Sequence, residues 1–394
     1  MGINFTYEDF NLRVNDVYAT SDLFGKIFPN DLIVGVIEDD ETIYFDLLDS
    51  TTEVLTYLDG EIGDEKEIVV ENKDGVTSII SFEYVVIDTA TTYSVDLGLE
   101  DVGYIKIDKF VGYEEGITVG TNYIFNEILK SLESTVLMDE EDTLIIDLRD
   151  NPGGDLTALN NLGTNLSPGI TQLLLPYDAN HSIFNLVNNE DEITEYFGGL
   201  TALKSYDIKV LVNENTASAS EVLAASLNDY GYELYGYNTY GKGVYQNSIY
   251  LNEIQNVRYY LTYTEGVWNY QTDKNVITDP LLVNQIDQEG ILTLDLPVYE
   301  QTLFIDVVDN SLIDYQKFLN VYFDLDEGSK MREDGYFDQI TKNWIELYQS
   351  EKGMTITGEL DLLTSQAIYL DYKLLSSDIS EDAQLQALLS LLSV

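Results

Sequence analysis

The sequence predicts a multi-domain protein of the α/β class. With 394 residues, of which 44% are hydrophobic, the chain is long enough for two or three domains with sizeable cores. Its pattern changes along the chain. Residues 1–87 read as short strands and turns, residues 88–304 alternate between strands and helices, and residues 305–373 are mostly helical, before a tail at 374–394 that begins as a polar linker. The alternating segment predicts a sheet covered by helices, with a site at the strand ends.

Within the first segment, the pattern predicts a strand at Asp31–Ile37 and a helix at Leu47–Leu58 that Gly60 ends. Two further apolar runs, Lys66–Glu71 and Thr77–Phe82, flank an Asp-Gly turn and predict a hairpin.

The middle segment shows the strand and helix periods in alternation. Its predicted strands are Val102–Ile107, Thr143–Leu148 and Asp207–Val212, and its predicted helices are Gly120–Leu132, Leu156–Leu162 and Ser220–Asp229. The last segments predict amphipathic helices at Ser311–Val321 and Gln339–Glu351 and an apolar helix at Leu385–Leu392.

The charge excludes several partners. The chain has 71 acidic and 19 basic residues, a formal net charge of −52. Nucleic acid would be repelled, an anionic membrane surface is disfavoured, and the simplest interpretation is a solvated acidic surface. No apolar run approaches the roughly 20 residues of a membrane span, and no export segment is visible at the N-terminus. Zero cysteines exclude disulfides and thiolate metal sites.

The most informative residues are Ser218 and Lys242. The chain has one histidine, His181, and no cysteine, so a serine–histidine or cysteine–histidine pair is disfavoured. A serine activated by a lysine is the nucleophile–base arrangement that remains. Two plainer interpretations stay open: Ser218 lies at a helix start where Ser220 would be the cap, and Lys242 would be an ordinary surface lysine in a salt bridge.

The chemistry places demands on the neighbours of these two residues. At a strand-to-helix turn the N–H of Ala219 is a natural oxyanion donor, and the glycines of Asn151-Pro-Gly-Gly154 can present backbone N–H groups in the same way. To act as a base, Lys242 needs a pKa lowered towards neutrality, which requires burial and no carboxylate partner. Gln246 lies four residues later, within reach of the lysine amine.

Three long motifs resemble the carboxy-terminal processing peptidases, or tail-specific proteases. They are Leu144-Ile-Ile-Asp-Leu-Arg-Asp-Asn-Pro-Gly-Gly154, Thr216-Ala-Ser-Ala-Ser-Glu221 and Thr239-Tyr-Gly-Lys-Gly-Val-Tyr-Gln246, in the family's order. The resemblance implies a ClpP/crotonase-like α/β core with Ser218 as nucleophile, Lys242 as base and Gln246 beside it. It further implies that Ala219, Gly153 and Gly154 donate to the oxyanion and that Asp229 has a supporting role.

The flanks extend the resemblance. Residues 1–87 resemble a PDZ domain trimmed at its N-terminus, and Gly2, Ile3, Asn4 and Phe5 resemble its carboxylate-binding loop. Residues 305–373 resemble a peptidoglycan-binding domain of the small three-helix type, which some bacterial members carry.

The resulting hypothesis is a serine endopeptidase with a Ser–Lys dyad that cleaves proteins near their C-terminus. The PDZ domain would gate it, and neither cofactor nor metal is required. Its expected partners are a protein or peptide tail and peptidoglycan, its expected location is the cell envelope or outside the cell, and the resemblance implies a homodimer. The alternative from a different class is an inactive envelope scaffold that uses the two binding modules. A cytosolic tail-degrading enzyme is the third.

Overall fold

A computed structural model of the chain describes residues 1–86, 91–113, 119–161, 167–254 and 257–392. It divides into two compact units. Unit 1 combines Met1–Thr89 with Gln288–Gln386, and unit 2 combines Ala90–Asp287 with Ala387–Val394. The predicted domain boundary at 87/88 lies outside the described residues. The other predicted boundaries, at 304/305 and 373/374, remain predictions.

The first part of unit 1 is a six-stranded antiparallel sheet with one short helix. The strand order is β1-β2-β3-β5-β6, and β4 pairs with β3. The bounds are β1 Ile3–Glu8, β2 Asn11–Val17, β3 Leu32–Glu38, β4 Glu41–Tyr44, α1 Thr51–Tyr57, β5 Glu65–Glu71 and β6 Thr77–Glu83. One face of the sheet is packed into a core around Val14, Ile33 and Ile68. The predicted strand at residue 31 and the predicted hairpin are confirmed.

The predicted helix at residues 47–58 is too long. The helix α1 begins at Thr51 because the Ser50 side chain accepts the N–H of Glu53 and so caps it there. Residues Phe45–Leu47 form a separate 3₁₀ turn. The N-terminal strand β1 pairs only with β2 among the described strands, so its outer edge faces α1 across a groove.

The principal sheet of unit 2 has the strand order β16-β13-β12-β9-β8-β7, where β16 is Val283–Gln285, and all pairs are parallel except β7 with β8. The described helices and strands of this unit up to residue 236 are β7 Thr92–Tyr93, β8 Val102–Ile107, α2 Thr121–Thr135, β9 Thr143–Asp147, α3 Ile170–Leu174, β10 Phe184–Asn188, β11 Ile193–Tyr196, β12 Asp207–Val212, α4 Ala219–Asp229 and β13 Glu233–Gly236. Every residue of β9 is buried, as expected for a central parallel strand covered on both faces.

The three strands predicted in the middle segment are confirmed as β8, β9 and β12. Two of the three predicted helices are confirmed as α2 and α4, with ends shifted by up to three residues. The exception is the helix predicted at Leu156–Leu162. Only a 3₁₀ turn, Leu156–Ala158, forms there, with the Asp155 side chain accepting the N–H of Thr157. Residue 162 lies outside the described residues.

A second, antiparallel sheet of unit 2 has the order β11-β10-β15-β14. Its long hairpin consists of β14 Val244–Ile254 and β15 Val257–Tyr270, and the short β16 Val283–Gln285 follows in the principal sheet. Since β14 starts two residues after Lys242, the lysine lies where the chain enters this hairpin.

The remaining part of unit 1 is helical, with α5 Leu312–Tyr322, α6 Gln339–Glu351 and α7 Leu362–Ser376; α8 Ala383–Leu392 follows. Two of these helices have aspartate caps: Asp338 accepts the N–H of Thr341, and Asp361 that of Thr364. The helices predicted at Ser311–Val321 and Gln339–Glu351 are confirmed, as is the three-helix form. Among the described residues, every helix is too short or too polar to cross a bilayer.

Candidate active site

Ser218 lies at the turn between β12 and α4, in the backbone conformation that a non-glycine residue rarely adopts. It is the residue before the first turn of α4, with φ +60° and ψ −121°. This conformation costs on the order of 1–3 kcal/mol and is concentrated at functional sites. The alternative that Ser220 caps the helix is wrong: Ser220 is inside the helix, and its Oγ donates to the carbonyl of Asn151 at 3.0 Å.

A buried glutamate connects the serine loop to the lysine loop. Glu221 is 0% exposed, and its two carboxyl oxygens accept three backbone N–H groups. Oε2 accepts from Ser218 at 2.9 Å and from Lys242 at 2.8 Å, and Oε1 accepts from Gly241 at 2.6 Å. The two predicted catalytic residues are therefore anchored at their backbones to one side chain.

Sequence reasoning missed this role of Glu221, although a signal was present. A serine followed three residues later by glutamate at a helix start is the spacing at which the glutamate accepts the N–H of the capping residue. The connection to Gly241 and Lys242 has no such signal, because it joins residues twenty and twenty-one positions apart.

Lys242 has a fixed backbone and a partly exposed side chain. Trp268 Nε1 donates to its carbonyl at 2.8 Å, and Asn275 Nδ2 donates to the carbonyl of Gly243 at 2.8 Å. Its Nζ donates to Gln246 Oε1 at 3.1 Å, as the spacing suggested. Lys242 Nζ makes no hydrogen bond to Ser218 Oγ, and both residues belong to the described part of the chain. The Lys242 side chain is also only partly buried in this conformation, whereas a lysine base needs burial.

The loop Asn151-Pro-Gly-Gly154, here called the glycine loop, lies directly against Ser218. A Cβ on Gly153 would come within 2.7 Å of the Ala217 carbonyl oxygen and 2.8 Å of Ser218 Cβ, and its φ is +100°. The N–H of Gly153 already donates to the buried Asn151 Oδ1 at 2.9 Å. Within the described part of the chain, the N–H groups of Ala219 and Gly154 have no protein acceptor, so these two are the candidates for an oxyanion.

Beneath this loop lies a buried charge network at the end of β9. Asp147 is 0% exposed and accepts from Arg149 Nε at 3.0 Å, from Tyr104 Oη at 2.8 Å and from Lys106 Nζ at 3.3 Å. Burial acts to raise the pKa of Asp147, but Lys106 and Arg149 outweigh it and hold the pKa well below its ordinary value of 3.8. The network fixes the strand end from which the glycine loop departs.

Replacing Asp147 with asparagine is expected to lower the free energy of unfolding by about 3 kcal/mol, because Arg149 and Lys106 lose their counter-charge. A carboxyl whose folded pKa is depressed stabilises above its ordinary pKa, so the deficit of Asp147→Asn relative to wild type should shrink as pH falls below about 4. Urea unfolding of both proteins at several pH values measures it. Asp207→Asn, which removes an exposed partner of Lys209, is the control and should cost below about 1 kcal/mol. An equal loss in both variants would contradict the prediction.

Asp229 and the single histidine lie at the other end of α4. Asp229 Oδ2 contacts His181 Nε2 at 2.6 Å. Eleven helical residues at 1.5 Å each place this pair about 16 Å from Ser218, so the histidine cannot serve as its base. The structure thus gives Asp229 a partner that fixes the helix end.

The four residues predicted to bind a substrate carboxylate lie in unit 1. Ile3, Asn4 and Phe5 belong to the strand β1, so the expectation that they form a loop is wrong; only Gly2, with φ +71°, precedes the strand. Gly2, Ile3 and Phe5 line the groove between β1 and α1, whereas Asn4 does not.

Comparison with known proteins finds similarity to a peptidase family and to a wall-binding domain. Residues 101–279 match the model of peptidase family S41, and residues 309–368 match that of a putative peptidoglycan binding domain. The chain is 28% identical over 297 residues to the carboxy-terminal processing protease CtpB of Bacillus subtilis, covering 74% of this chain and 55% of that protein. It is also 28% identical over 307 residues to a probable CtpA-like serine protease of Staphylococcus aureus, covering 71% and 55%. The chain therefore spans little more than half the length of these relatives.

Solved structures give a looser likeness. A photosystem II D1 C-terminal processing protease shares 19% identity with a TM-score of 0.35, covering 72% of each chain. A putative S41 protease from Bacteroides fragilis shares 15% identity with a TM-score of 0.39, covering 70% of this chain and 69% of that one. The α/β assignment therefore rests on the strand order of this chain. The glycine loop, Ser218 and Lys242 all fall within the residues that match the model of peptidase family S41.

Proposed function

We propose that the protein is a serine endopeptidase that cleaves polypeptides near their C-terminus with a Ser218–Lys242 dyad. Lys242 takes the Ser218 proton as Oγ attacks the scissile carbonyl, and it returns that proton to the departing amine. The N–H groups of Ala219 and Gly154 stabilise the oxyanion. Water, activated by the same lysine, then hydrolyses the acyl-enzyme.

The observation that carries this proposal is the position of Glu221. Its carboxyl group fixes the N–H groups of Ser218, Gly241 and Lys242, so that the serine and lysine loops are held by one buried acceptor. A serine that only started a helix would not need its loop anchored to a lysine twenty-four positions later. The positive φ of Ser218 adds strain at the same point, which a structural cap would not require.

The dyad requires one side-chain movement. Lys242 Nζ bonds to Gln246 Oε1, which is exposed, and release of this bond lets the flexible lysine chain rotate about its own backbone, which stays anchored. Gln246 therefore has the role of holding the lysine when no substrate is present. Substrate covering the site would exclude water from the Lys242 amine.

For unit 1 we propose a PDZ-like role. A peptide tail would add to the free edge of β1 and place its side chains in the groove facing α1. The gating of the catalytic site by this groove, the homodimer, export to the cell envelope and binding to peptidoglycan remain parts of the same proposal. The matched peptidoglycan binding domain supports the last two.

Digestion of unfolded casein and of a tagged protein with an extended C-terminal tail tests the proposed function. Wild-type protein should shorten the tail, and Ser218→Ala should leave it intact while retaining the wild-type circular dichroism spectrum. Ser220→Ala is the matched control and should retain activity within about tenfold, since its Oγ bonds only to the Asn151 carbonyl. Equal cleavage by wild type and Ser218→Ala, or none by either, would instead support the inactive scaffold.

A further inference from the structure

The groove of unit 1 carries a charge pattern that restricts its ligand. It has a volume of about 560 Å³, and its lining includes the apolar residues Ile3, Phe5 and Leu55 and the polar residues Thr52, Thr56 and Asp59. A volume of this size accepts a few extended residues of a peptide. Among its described lining side chains there is one carboxylate and no lysine, arginine or histidine.

The α-ammonium group of Met1, a residue of the groove lining, is a positive charge at the groove, but no lysine or arginine side chain around it is unpaired. Residues 1–86 contain twenty acidic and four basic side chains. In the described part of unit 1, each of the ten lysine and arginine side chains lies within 4.0 Å of a carboxylate. Within residues 1–86 the four pairs are Arg13–Glu8, Lys26–Asp22, Lys66–Glu38 and Lys73–Glu300. A ligand therefore meets a negative field that these cations do not cancel.

A peptide C-terminus is itself an anion, so this field opposes its entry. Backbone N–H groups along β1 can hydrogen-bond the tail, but they do not offset a net domain charge of this size. Positive side chains in the ligand would offset the negative charge of residues 1–86. Electrostatic complementarity of this kind changes both association rate and specificity.

We propose that the groove selects extended tails that end in an apolar residue and carry lysine or arginine just before it. This inference rests on the proposed function, in which the groove reads substrate tails. The apolar end packs on Ile3, Phe5 and Leu55, the last of which is 49% exposed in the empty groove. Thr52 and Thr56 lie four residues apart, on one face of α1, and Asp59 follows that helix, so that a cation in the tail has a carboxylate to meet.

Fluorescence anisotropy with the Ser218→Ala protein measures the selection without cleavage. Three labelled decapeptides share their last two apolar residues and differ in the preceding pair, which is Lys-Lys, Gln-Gln or Glu-Glu. At about 20 mM salt the Kd should rise by about tenfold from the basic to the neutral peptide and again to the acidic one, and at about 500 mM salt the three values should converge. Equal Kd values, or tighter binding of the acidic peptide, would overturn the inference.

Variants assign the effect to the groove. Leu55→Ala should weaken all three peptides by about tenfold, because it removes an apolar contact of the shared end. Asp59→Asn should reduce the preference for the basic peptide over the acidic one by at least about threefold. Glu41→Gln, which removes an exposed carboxylate outside the groove lining, is the matched control and should leave the preference unchanged. Equal effects of Asp59→Asn and Glu41→Gln would overturn the assignment to the groove.

Cleavage of the same peptides by wild-type protein separates this inference from the proposed function. Cleavage of all three with the same kcat/KM, together with equal Kd values, contradicts the selection and leaves the peptidase intact. Binding in the order basic, neutral, acidic without any cleavage supports the selection and contradicts the peptidase.

Discussion

Lys242→Met is expected to lower kcat for peptide hydrolysis by about 10⁴-fold, the scale of losing one member of a nucleophile–base pair. Methionine keeps the length and apolar contacts of the lysine side chain but cannot take the Ser218 proton. Lys242→Arg should be equally inactive, because a guanidinium stays protonated and cannot act as a base. Both variants should bind substrate, so KM should change far less than kcat.

The measurement is kcat and KM on an internally quenched peptide, with folding checked by thermal unfolding. Lys274→Met is the matched control: Lys274 is an exposed lysine of the same unit and should be dispensable. Wild-type kcat in Lys242→Arg would show that a positive charge is needed there rather than a base. Wild-type kcat in Lys242→Met would remove the lysine from the mechanism.

Glu221→Gln should lower kcat by about 10²-fold, on the scale of losing one aligned group in an active site. A glutamine oxygen can accept the N–H groups of Ser218 and Lys242, but its NH₂ group then faces the N–H of Gly241, and two donors oppose each other. The unsatisfied donor in a fully buried place costs about 1–3 kcal/mol of stability. The lysine loop should loosen as a result.

Hydrogen exchange of the Gly241 and Lys242 amides, measured beside kcat, tests the cause. Both amides should exchange faster in Glu221→Gln than in wild type, whereas α4 should keep its protection. Glu214→Gln is the control, since Glu214 is an exposed glutamate in the loop between β12 and α4 that leads to Ser218. Loss of activity with unchanged amide protection would show that Glu221 does not act by holding the lysine loop.

The sequence predicted most of the regular elements near the site because their patterns are local. The continuous apolar run of β9 and the small-residue hydroxyl cluster before α4 indicate a buried strand and a helix start by themselves. Ser218, Lys242 and Gln246 were predicted as site residues because the chain has one histidine and no cysteine, and because each lies in a stretch that resembles a known motif. The Lys242–Gln246 bond is a contact over four residues and follows from that spacing.

The contacts that assemble the site were not predictable from one sequence, since they join distant residues. Nothing local indicates that Glu221 accepts from Gly241 or that His181 is held by Asp229. The start of the helix predicted at residues 47–58 was wrong for a local reason. Ser50 caps the helix, so that it begins at Thr51, although the apolar residues Leu47 and Leu48 fit the helical period. The partial exposure of Lys242 depends on the whole fold, as burial always does.

The central claim is that Ser218 is a nucleophile activated by Lys242, and covalent labelling tests it most directly. Wild-type protein and the variants Lys242→Met and Ser220→Ala would be incubated with a serine-reactive fluorophosphonate, and the modified residue would be located by peptide mass spectrometry. We predict labelling at Ser218 in wild type and in Ser220→Ala, with the rate reduced by about 10³-fold or more in Lys242→Met. Labelling at another serine, or at Ser218 with the same rate in Lys242→Met, would contradict the dyad.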